Sequence, residues 1–323
     1  MKIQEKKITG LAILLTLTLV IGAGAYLTYR AWDYWSADQT YADIGRNAVR
    51  KENMAELQER KNEMSVSAGY KEKNGQDAAS GWDDADKDRN KSTKDIPTAE
   101  TINGTKIPDK PVIDWNELAK SGKDIVAWLD IPALGIAYPV VQGDDNEFYL
   151  HHLPNGEYKN AGSLFMEAAN NSDLTDINTV IYGHNMDNGS MFGKFRNMTD
   201  EDYMRQPYLW LCTREKACLY AMISLHISHV DDESYTLFER IGSEGCRNGD
   251  IDDILSEDPA NELHHLPSGS NVAGWIRGEN RRSYINMPIP VSAMNRVVTL
   301  STCASYSDER RVLQAILVRE YTL

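Results

Sequence analysis

The N-terminal segment constrains this chain most strongly, because residues 8–29 form a long uncharged apolar run. Built as an α-helix, that run is about 33 Å long, which is enough to cross a bilayer core of about 30 Å. Lysines precede the run, and Trp32 and Trp35 follow it. Under the positive-inside rule the lysines stay cytoplasmic and the tryptophans lie at the outer interface. The sequence therefore predicts a cytoplasmic tail and single transmembrane anchor over residues 1–35.

A cleaved signal peptide is the alternative interpretation of this segment. Ala23-Gly24-Ala25 resembles a small-residue cleavage site. The apolar run is long for a signal peptide, however, and its length favours an uncleaved anchor. Under either interpretation the chain after residue 35 is extracellular, and the expected localisation is the cell membrane.

Charge and cysteine content exclude several classes of protein. The net charge of −14 argues against a nucleic-acid-binding protein, which normally presents a basic face. The four cysteines, Cys212, Cys218, Cys246 and Cys303, are too few and too irregularly spaced for a disulfide scaffold. Cys212 and Cys218 flank a predicted hairpin turn, so a disulfide between them is conceivable, although two free thiols are the expectation. The Cys and His spacing matches no zinc motif, and no metal site is predicted.

Composition divides the extracellular part into three segments. Residues 36–65 are polar and rich in helix formers, which predicts a solvated helical stalk. Residues 66–111 are dense in Asp, Lys, Asn, Ser and Gly and nearly lack aliphatic side chains, so a flexible spacer is expected. Residues 112–323 carry the apolar runs of a folded domain.

The folded domain shows eight short apolar runs of the length and composition of β-strands. They are Ile125–Ile131, Ala137–Val141, Gly162–Met166, Thr179–Tyr182, Tyr208–Leu211, Cys218–Ile227, Val297–Ser301 and Val312–Val318. Asp114 begins a predicted capping box and short helix. Further helices are expected at 198–206, around 250–256 and around 271–282. The predicted fold class is mostly β with peripheral helices, and the strands close into a barrel.

Three residues suited to acyl transfer each lie at an edge of a predicted strand. Cys303 ends the run that begins at Arg296, His184 follows the run that begins at Thr179, and Arg311 begins the last strand. A cysteine thiolate is a nucleophile, and a nearby cation favours its formation. The imidazole titrates near neutral pH and can act as acid and base, whereas the guanidinium stays charged and can donate to an oxyanion. The three together predict acyl transfer through a cysteine.

The sequence around these residues resembles the sortase family, the transpeptidases that attach proteins to Gram-positive cell walls. Thr299-Leu-Ser-Thr-Cys303 resembles the TLxTC signature, and Tyr182-Gly-His184 resembles the histidine motif. Arg311 followed by aliphatic residues resembles the arginine strand. Similarity to class B members extends over residues 112–323, in blocks such as Val126–Pro132, Tyr138–Gln142, Ala161–Met166 and Met191-Phe192-Gly193.

The resemblance implies a sortase-type closed β-barrel and a cofactor-free reaction. Cys303 would attack the threonine carbonyl in a C-terminal sorting motif of a secreted surface protein, with His184 as general acid/base and Arg311 stabilising the oxyanion. An amine of the peptidoglycan precursor, or a pilin lysine, would then resolve the thioacyl intermediate. Ser301, Thr302, Asn185 and Tyr182 are the expected residues of the substrate groove.

Two positions depart from a simple match to the family. The family arginine aligns with Arg310 or Arg311, and Arg311 is preferred because it directly precedes the aliphatic strand. If strand alternation puts Arg311 on the pocket face, Arg310 points away. The stretch Gly242–Asn271, which holds Cys246, His264 and His265, is longer or more divergent than expected and leaves the preferred substrate open.

Two other functions remain open at the level of sequence. One is a membrane-tethered binding module for surface proteins that has no activity. The other is a different cysteine transpeptidase acting on peptidoglycan, such as an L,D-transpeptidase. That family has a His-Gly-Cys type context around its nucleophile, and Ser301-Thr302-Cys303-Ala304 does not provide it.

Overall fold

The computed structural model describes residues 2–50, 101–102, 105–229, 231–237, 272–288, 296–303 and 308–323. Within these ranges the helices are α1 (Lys2–Ala48), α2 (Trp115–Ala119), α3 (Asp200–Arg205) and α4 (Val272–Arg282). Four two-residue strands come first, β1 (Val49–Arg50), β2 (Thr101–Ile102), β3 (Thr105–Lys106) and β4 (Val112–Ile113). The helix expected around 250–256, the stretch Gly242–Asn271 and residues 51–100 of the stalk and spacer lie outside the described residues.

Eight longer strands close into one barrel. They are β5 (Ile125–Ile131), β6 (Ile136–Val141), β7 (Leu164–Met166), β8 (Asn178–His184), β9 (Tyr208–Cys212), β10 (Lys216–His229), β11 (Val297–Cys303) and β12 (Glu309–Thr322). The strand order is β10-β12-β11-β8-β7-β6-β5-β9. Each of the eight predicted runs overlaps one strand, and the barrel prediction is confirmed. Most pairs are antiparallel, but β8–β11 and β6–β7 are parallel, so β8 and β11 end at the same end of the barrel.

The helices form where local sequence signals place them. Asp114 is the N-cap of α2, and its carboxylate accepts from the backbone N–H groups of Asn116 and Glu117, each at 3.1 Å. Helix α4 packs against β10 and buries Trp275. Cys212 and Cys218 are free and buried, which confirms the expectation of two free thiols over a disulfide.

Helix α1 runs beyond the apolar segment and packs on the barrel. Ala37, Tyr41, Ile44 and Ala48 are almost fully buried in the main core. Their spacing puts all four side chains on one face of the helix, each about one turn from the next. Residues 37–48 of the predicted stalk are therefore helical, as expected, and these four side chains pack on the barrel.

The strand that directly follows α1 lies beside the strand that directly precedes α2. Strand β1 pairs antiparallel with β4, so that Val49 lies opposite Ile113, and the backbone N–H of Asp114 donates to the carbonyl of Ala48 at 2.7 Å. Ile107 is buried, and Pro108 accepts a hydrogen bond from the indole of a barrel tryptophan at 3.1 Å. Among the described residues of the stretch expected as a spacer, Ile107 and Pro108 therefore pack on the barrel.

One helix among the described residues is long and apolar enough to cross a membrane, judged by length and composition. It is α1, and its described apolar side chains before residue 30 are exposed, among them Leu19 and Val20. Exposed apolar side chains of this kind are those a lipid environment would cover.

Candidate active site

The backbone of Cys303 lies beside that of His184. Strands β8 and β11 run parallel and in register, and these two residues are Cα partners at the last position of each strand. Ser301 is likewise the partner of Tyr182. The parallel pairing thus brings two chain segments that are distant in sequence to one end of the barrel.

Gly183 allows the end of β8 to pack closely. A Cβ at this position would lie 2.4 Å from the side chain of Leu164 and 2.9 Å from the ring of Phe192. No side chain fits in that space without displacing the strand. The glycine of the Tyr-Gly-His motif therefore serves to place His184.

The imidazole of His184 is half-buried and oriented by one hydrogen bond. Its Nε2 lies 2.7 Å from the carbonyl oxygen of Leu150. Because a carbonyl only accepts, Nε2 carries the proton and Nδ1 is the nitrogen left for proton exchange. Burial lowers the pKa of His184, the hydrogen bond to Leu150 opposes this shift, and the nearby His151 ring lowers the pKa further. His184 is therefore neutral near pH 7.

The carbonyl of Leu150 is fixed by close packing against Gly162. Gly162 has φ +54°, and a Cβ there would lie 2.2 Å from the Leu150 oxygen. Only glycine tolerates this backbone conformation and this approach together. The loop that holds the acceptor of the His184 hydrogen bond is thereby locked to the start of β7.

A cavity of about 240 Å³ opens next to these strand ends. It is lined by Asn146, Leu150, Phe165, Tyr182, Tyr235, Ser301 and Arg310. The rings of Phe165 and Tyr182 lie 5.2 Å apart, and those of Tyr182 and Tyr235 lie 6.4 Å apart and stack. Glu167 accepts hydrogen bonds from the Tyr182 hydroxyl at 2.9 Å and from the Asn146 amide at 2.7 Å. An aromatic slot with amide and hydroxyl groups at its edge suits an extended peptide with small polar side chains.

Tyr235 joins the cavity to a buried polar network. Its hydroxyl lies 2.7 Å from the hydroxyl of Ser301. The neighbouring Ser234 is fully buried, donates to Glu279 at 2.5 Å and lies 3.1 Å from Nε2 of His226. Burial, followed by the positive charge of a nearby arginine, lowers the pKa of His226 to about 4. This network holds the Tyr235 segment and α4 against β10, and so shapes one wall of the cavity.

Arg310, and not Arg311, lines this cavity. In the antiparallel pair of β11 and β12, Ser301 lies opposite Val312 and shares its face. Side chains alternate along β12, so Arg310 lies on that same face and Arg311 on the other. The guanidinium of Arg311 instead hydrogen-bonds Tyr284, where it opposes the rise in the pKa of that phenol caused by burial. Of the two arginines, Arg310 is therefore the one on the cavity face, and which of them acts on the substrate stays a prediction.

The predicted groove residues divide into two groups. Tyr182 and Ser301 line the cavity. Thr302 is buried, and its hydroxyl accepts from the backbone N–H of Arg311 at 3.0 Å, while Asn185 accepts from Arg196 through its backbone carbonyl. Neither Thr302 nor Asn185 is among the cavity-lining residues.

Four lining residues were not predicted as site residues. They are Asn146, Leu150, Phe165 and Tyr235. The first three lie in blocks that resemble class B sequences, namely Asp145-Asn146 with Tyr149-Leu150, and Ala161–Met166, and that resemblance was the available signal. Tyr235 comes from the segment after β10, and no sequence pattern marks it.

A closed barrel with a cysteine and a histidine at adjacent strand ends, beside an arginine-lined peptide-sized cavity, defines a candidate cysteine acyl-transferase. Comparison with known proteins agrees with this class. A family model described as Sortase domain matches residues 129–242. Sortase B of Listeria monocytogenes is 29% identical over 233 residues, which are 70% of this chain and 80% of the relative. Sortase B of Staphylococcus aureus is 27% identical over 208 residues, 64% of this chain and 75% of the relative.

Among solved structures, the crystal structure of Staphylococcus aureus sortase B is similar with a TM-score of 0.49 and 24% identity, over 64% of this chain and 86% of that chain. The chain is similar to the sortase family over these residues, and both of these curated relatives are sortase B. This similarity supports a cysteine transpeptidase as the class of enzyme to be proposed.

Proposed function

We propose that this chain is a membrane-anchored class B sortase that uses Cys303 as its nucleophile. It cleaves a C-terminal sorting motif of a secreted protein after threonine and transfers the acyl group to an amine. The acceptor is a peptidoglycan precursor amine or a pilin lysine. The observation that carries the proposal is the in-register pairing of Cys303 with His184 at the ends of two parallel strands.

The reaction has two steps. In the first, Nδ1 of His184 takes the proton of the Cys303 thiol, the sulfur forms a bond to the threonine carbonyl carbon, and the peptide C–N bond breaks as Nδ1 passes that proton to the leaving amine. In the second, the acceptor amine forms the new C–N bond, the C–S bond breaks, and the proton lost by the amine passes to His184. Because Nε2 is held by the Leu150 carbonyl, Nδ1 performs both transfers.

Arg310 is the proposed donor to the oxyanion of the tetrahedral intermediates. It lines the cavity together with Ser301 and Tyr182, whereas Arg311 bonds Tyr284 on the other face. A guanidinium that stays charged at all relevant pH values stabilises an oxyanion strongly in a partly dry site.

The apolar part of α1 is the proposed membrane anchor, with its lysines in the cytoplasm and the barrel outside the cell. The support is the length of the exposed apolar segment together with the lysines before it and the tryptophans after it. This orientation brings the enzyme to the side of the membrane where secreted donors and cell-wall precursors meet.

The test uses the full chain in detergent micelles with sorting peptides of the LPxTG, NPxTN and PPxTG types and a small amine. Products are weighed by mass spectrometry. We expect an acyl–amine product that is absent in the Cys303→Ala variant, and about 10²-fold or greater loss in His184→Ala. Product formation by Cys303→Ala would refute the assigned nucleophile.

Arg310→Ala and Arg311→Ala form a matched pair, because the residues are adjacent, equally charged and on opposite faces of β12. We expect turnover to fall about 10²-fold or more in Arg310→Ala and to stay close to the parent value in Arg311→Ala. The reverse result would restore the arginine preferred from the sequence.

Labelling distinguishes this proposal from a binding module that lacks activity. A thiol-reactive sorting peptide should modify Cys303 faster than it modifies free cysteine, because His184 and Arg310 favour the thiolate. Reaction at the rate of free cysteine would favour the binding module.

A further inference from the structure

Helix α1 connects the proposed anchor to the barrel without a flexible joint. It is one helix from Lys2 to Ala48. The apolar run ends at residue 29, and the first buried contact with the barrel comes at Asp33. At 1.5 Å per residue these two points are about 6 Å apart along the helix axis. The membrane-proximal end of the docked segment therefore begins almost at the lipid surface.

A buried ion pair fixes this end of the docked segment. Asp33 and Lys159 are both almost fully buried and lie 3.8 Å apart, and the Asp33 carboxylate also accepts from the side-chain amide of Asn160 at 2.8 Å. The ammonium of Lys159 sits 4.4 Å from the ring centre of Trp32. Separating these groups would leave a charge buried without its partner, which is strongly unfavourable. The joint between helix and barrel is therefore stiff.

The contacts of α1 show which end of the barrel faces the membrane. Near its C-terminal end, Gly45 approaches Trp128 in the middle of β5. Closer to the anchor, the Tyr41 hydroxyl donates to the Gly162 carbonyl at 2.6 Å. Closer still, Asp38 accepts from Asn188, in the loop that follows His184, at 2.8 Å. Contacts toward the anchor thus move toward the end of the barrel that carries His184.

The helix also sets the height of that end. Twelve residues separate the last apolar residue, Tyr29, from Tyr41, which corresponds to about 18 Å along α1. Tyr41 bonds Gly162, two residues before β7, and Phe165 within β7 pairs with Tyr182, two residues before His184. Trp32 and Trp35 are exposed and lie between Tyr29 and Tyr41 along α1, where an interfacial aromatic belt is expected.

From this geometry we propose that the end of the barrel carrying His184 and Cys303 faces the lipid bilayer and is held by α1 at a fixed height of about 18 Å from the apolar core. The partner of this face is the phospholipid headgroup layer. The inference rests on the proposed membrane anchor, and it adds that the active site opens toward the membrane and cannot rotate away from it.

The test measures the height of two positions in the full chain reconstituted into phosphatidylcholine nanodiscs. A donor dye is attached at Asp187→Cys, in the loop after β8, or at Thr322→Cys, at the opposite end of β12. Both are made with Cys246→Ser and Cys303→Ala, so that labelling is specific and no catalysis is needed. The acceptor is a headgroup-labelled lipid, and the pair has a short Förster radius.

We expect several-fold stronger energy transfer from position 187 than from position 322. Equal transfer, or stronger transfer from position 322, would overturn the inference. A glycine–serine linker inserted after Arg30 is the matched variant, because it leaves the contacts from Asp33 onward intact and interrupts the continuous helix between the anchor and the barrel. The linker should reduce the difference between the two positions, and an unchanged difference would also overturn the inference.

Failure of the proposed anchor gives a different result. In that case the protein does not co-purify with nanodiscs, and no transfer is seen from either position. The peptide assay in detergent is independent of this result, so a lost orientation and a lost activity are told apart.

Discussion

Acidification should destabilise the barrel through the buried His226. This imidazole is almost fully buried beside Glu279, Ser234 and Ser224, and burial together with the charge of Arg282 lowers its pKa from 6.5 to about 4. Below pH 6.5 the unfolded chain binds a proton at this histidine that the folded chain does not bind until the pH approaches 4. Stability is therefore lost as the pH falls below 6.5, and the loss levels off below about 4.

The size of the effect follows from the shift. Each pH unit costs about 1.4 kcal/mol while only the unfolded chain is protonated, so lowering the pH from 7.5 to 4.5 costs about 2.5 kcal/mol at this one site. Glu279 acts in the opposite direction, because burial raises its pKa and the folded chain takes up its proton earlier. The contribution of the histidine must therefore be isolated with His226→Gln, which keeps the glutamate and removes the titrating imidazole.

The assay is guanidinium unfolding of the full chain in detergent micelles, followed by the fluorescence of buried tryptophans such as Trp128 and Trp210. The free energy of unfolding is measured at pH 7.5 and 4.5 for the parent chain and for His226→Gln. We expect the parent to lose about 2.5 kcal/mol more than the variant between the two pH values. Equal losses would refute the reasoning, whatever the absolute stability of the variant.

Two further substitutions test the supports of the active site. Gly162→Ala should displace the carbonyl that accepts from His184, so that the limb of the pH–rate profile reporting this histidine moves to lower pH by less than about one unit. Gly156→Ala is the control, because it too has positive φ but a Cβ there meets open space; an equal shift in both variants would contradict the argument. Lys159→Met leaves Asp33 buried without its cation and should lower the free energy of unfolding by about 3 kcal/mol in guanidinium titrations. A loss below about 1 kcal/mol would mean that the pair contributes little to docking.

The strands of the barrel could be predicted because each carries its own signal. Runs such as Tyr208–Leu211 and Val297–Ser301 are short, apolar and bounded by turn residues, and local pattern suffices for them. The same holds for Asp114, where a cap needs only a side chain and two nearby N–H groups. Cys303 and His184 lie at the predicted strand ends, and the pairing of these ends follows from the family resemblance and not from local pattern.

Features that depend on distant pairing were missed. The choice between Arg310 and Arg311 depends on the register of β11 against β12, and a shift of one residue exchanges their faces. The apolar face formed by Tyr41, Ile44 and Ala48 is visible in the sequence. A short apolar face that includes a small alanine does not indicate that a barrel packs against it. The pairing of β1 with β4 joins two strands of two residues each, and no local pattern predicts it.

With α1 as the proposed membrane anchor, its uninterrupted course also ties the active site to the thickness of the membrane. An apolar run of about 33 Å exceeds a core of about 30 Å, and a helix relieves such mismatch by tilting, here by about 25°. Because the barrel is clamped to the helix at Asp33, Tyr41 and Ala48, it tips by the same angle. A thinner bilayer would increase the tilt of the barrel relative to the membrane normal, and a thicker bilayer would decrease it. Lipid composition, through bilayer thickness, would therefore change the angle at which the active site faces its substrates.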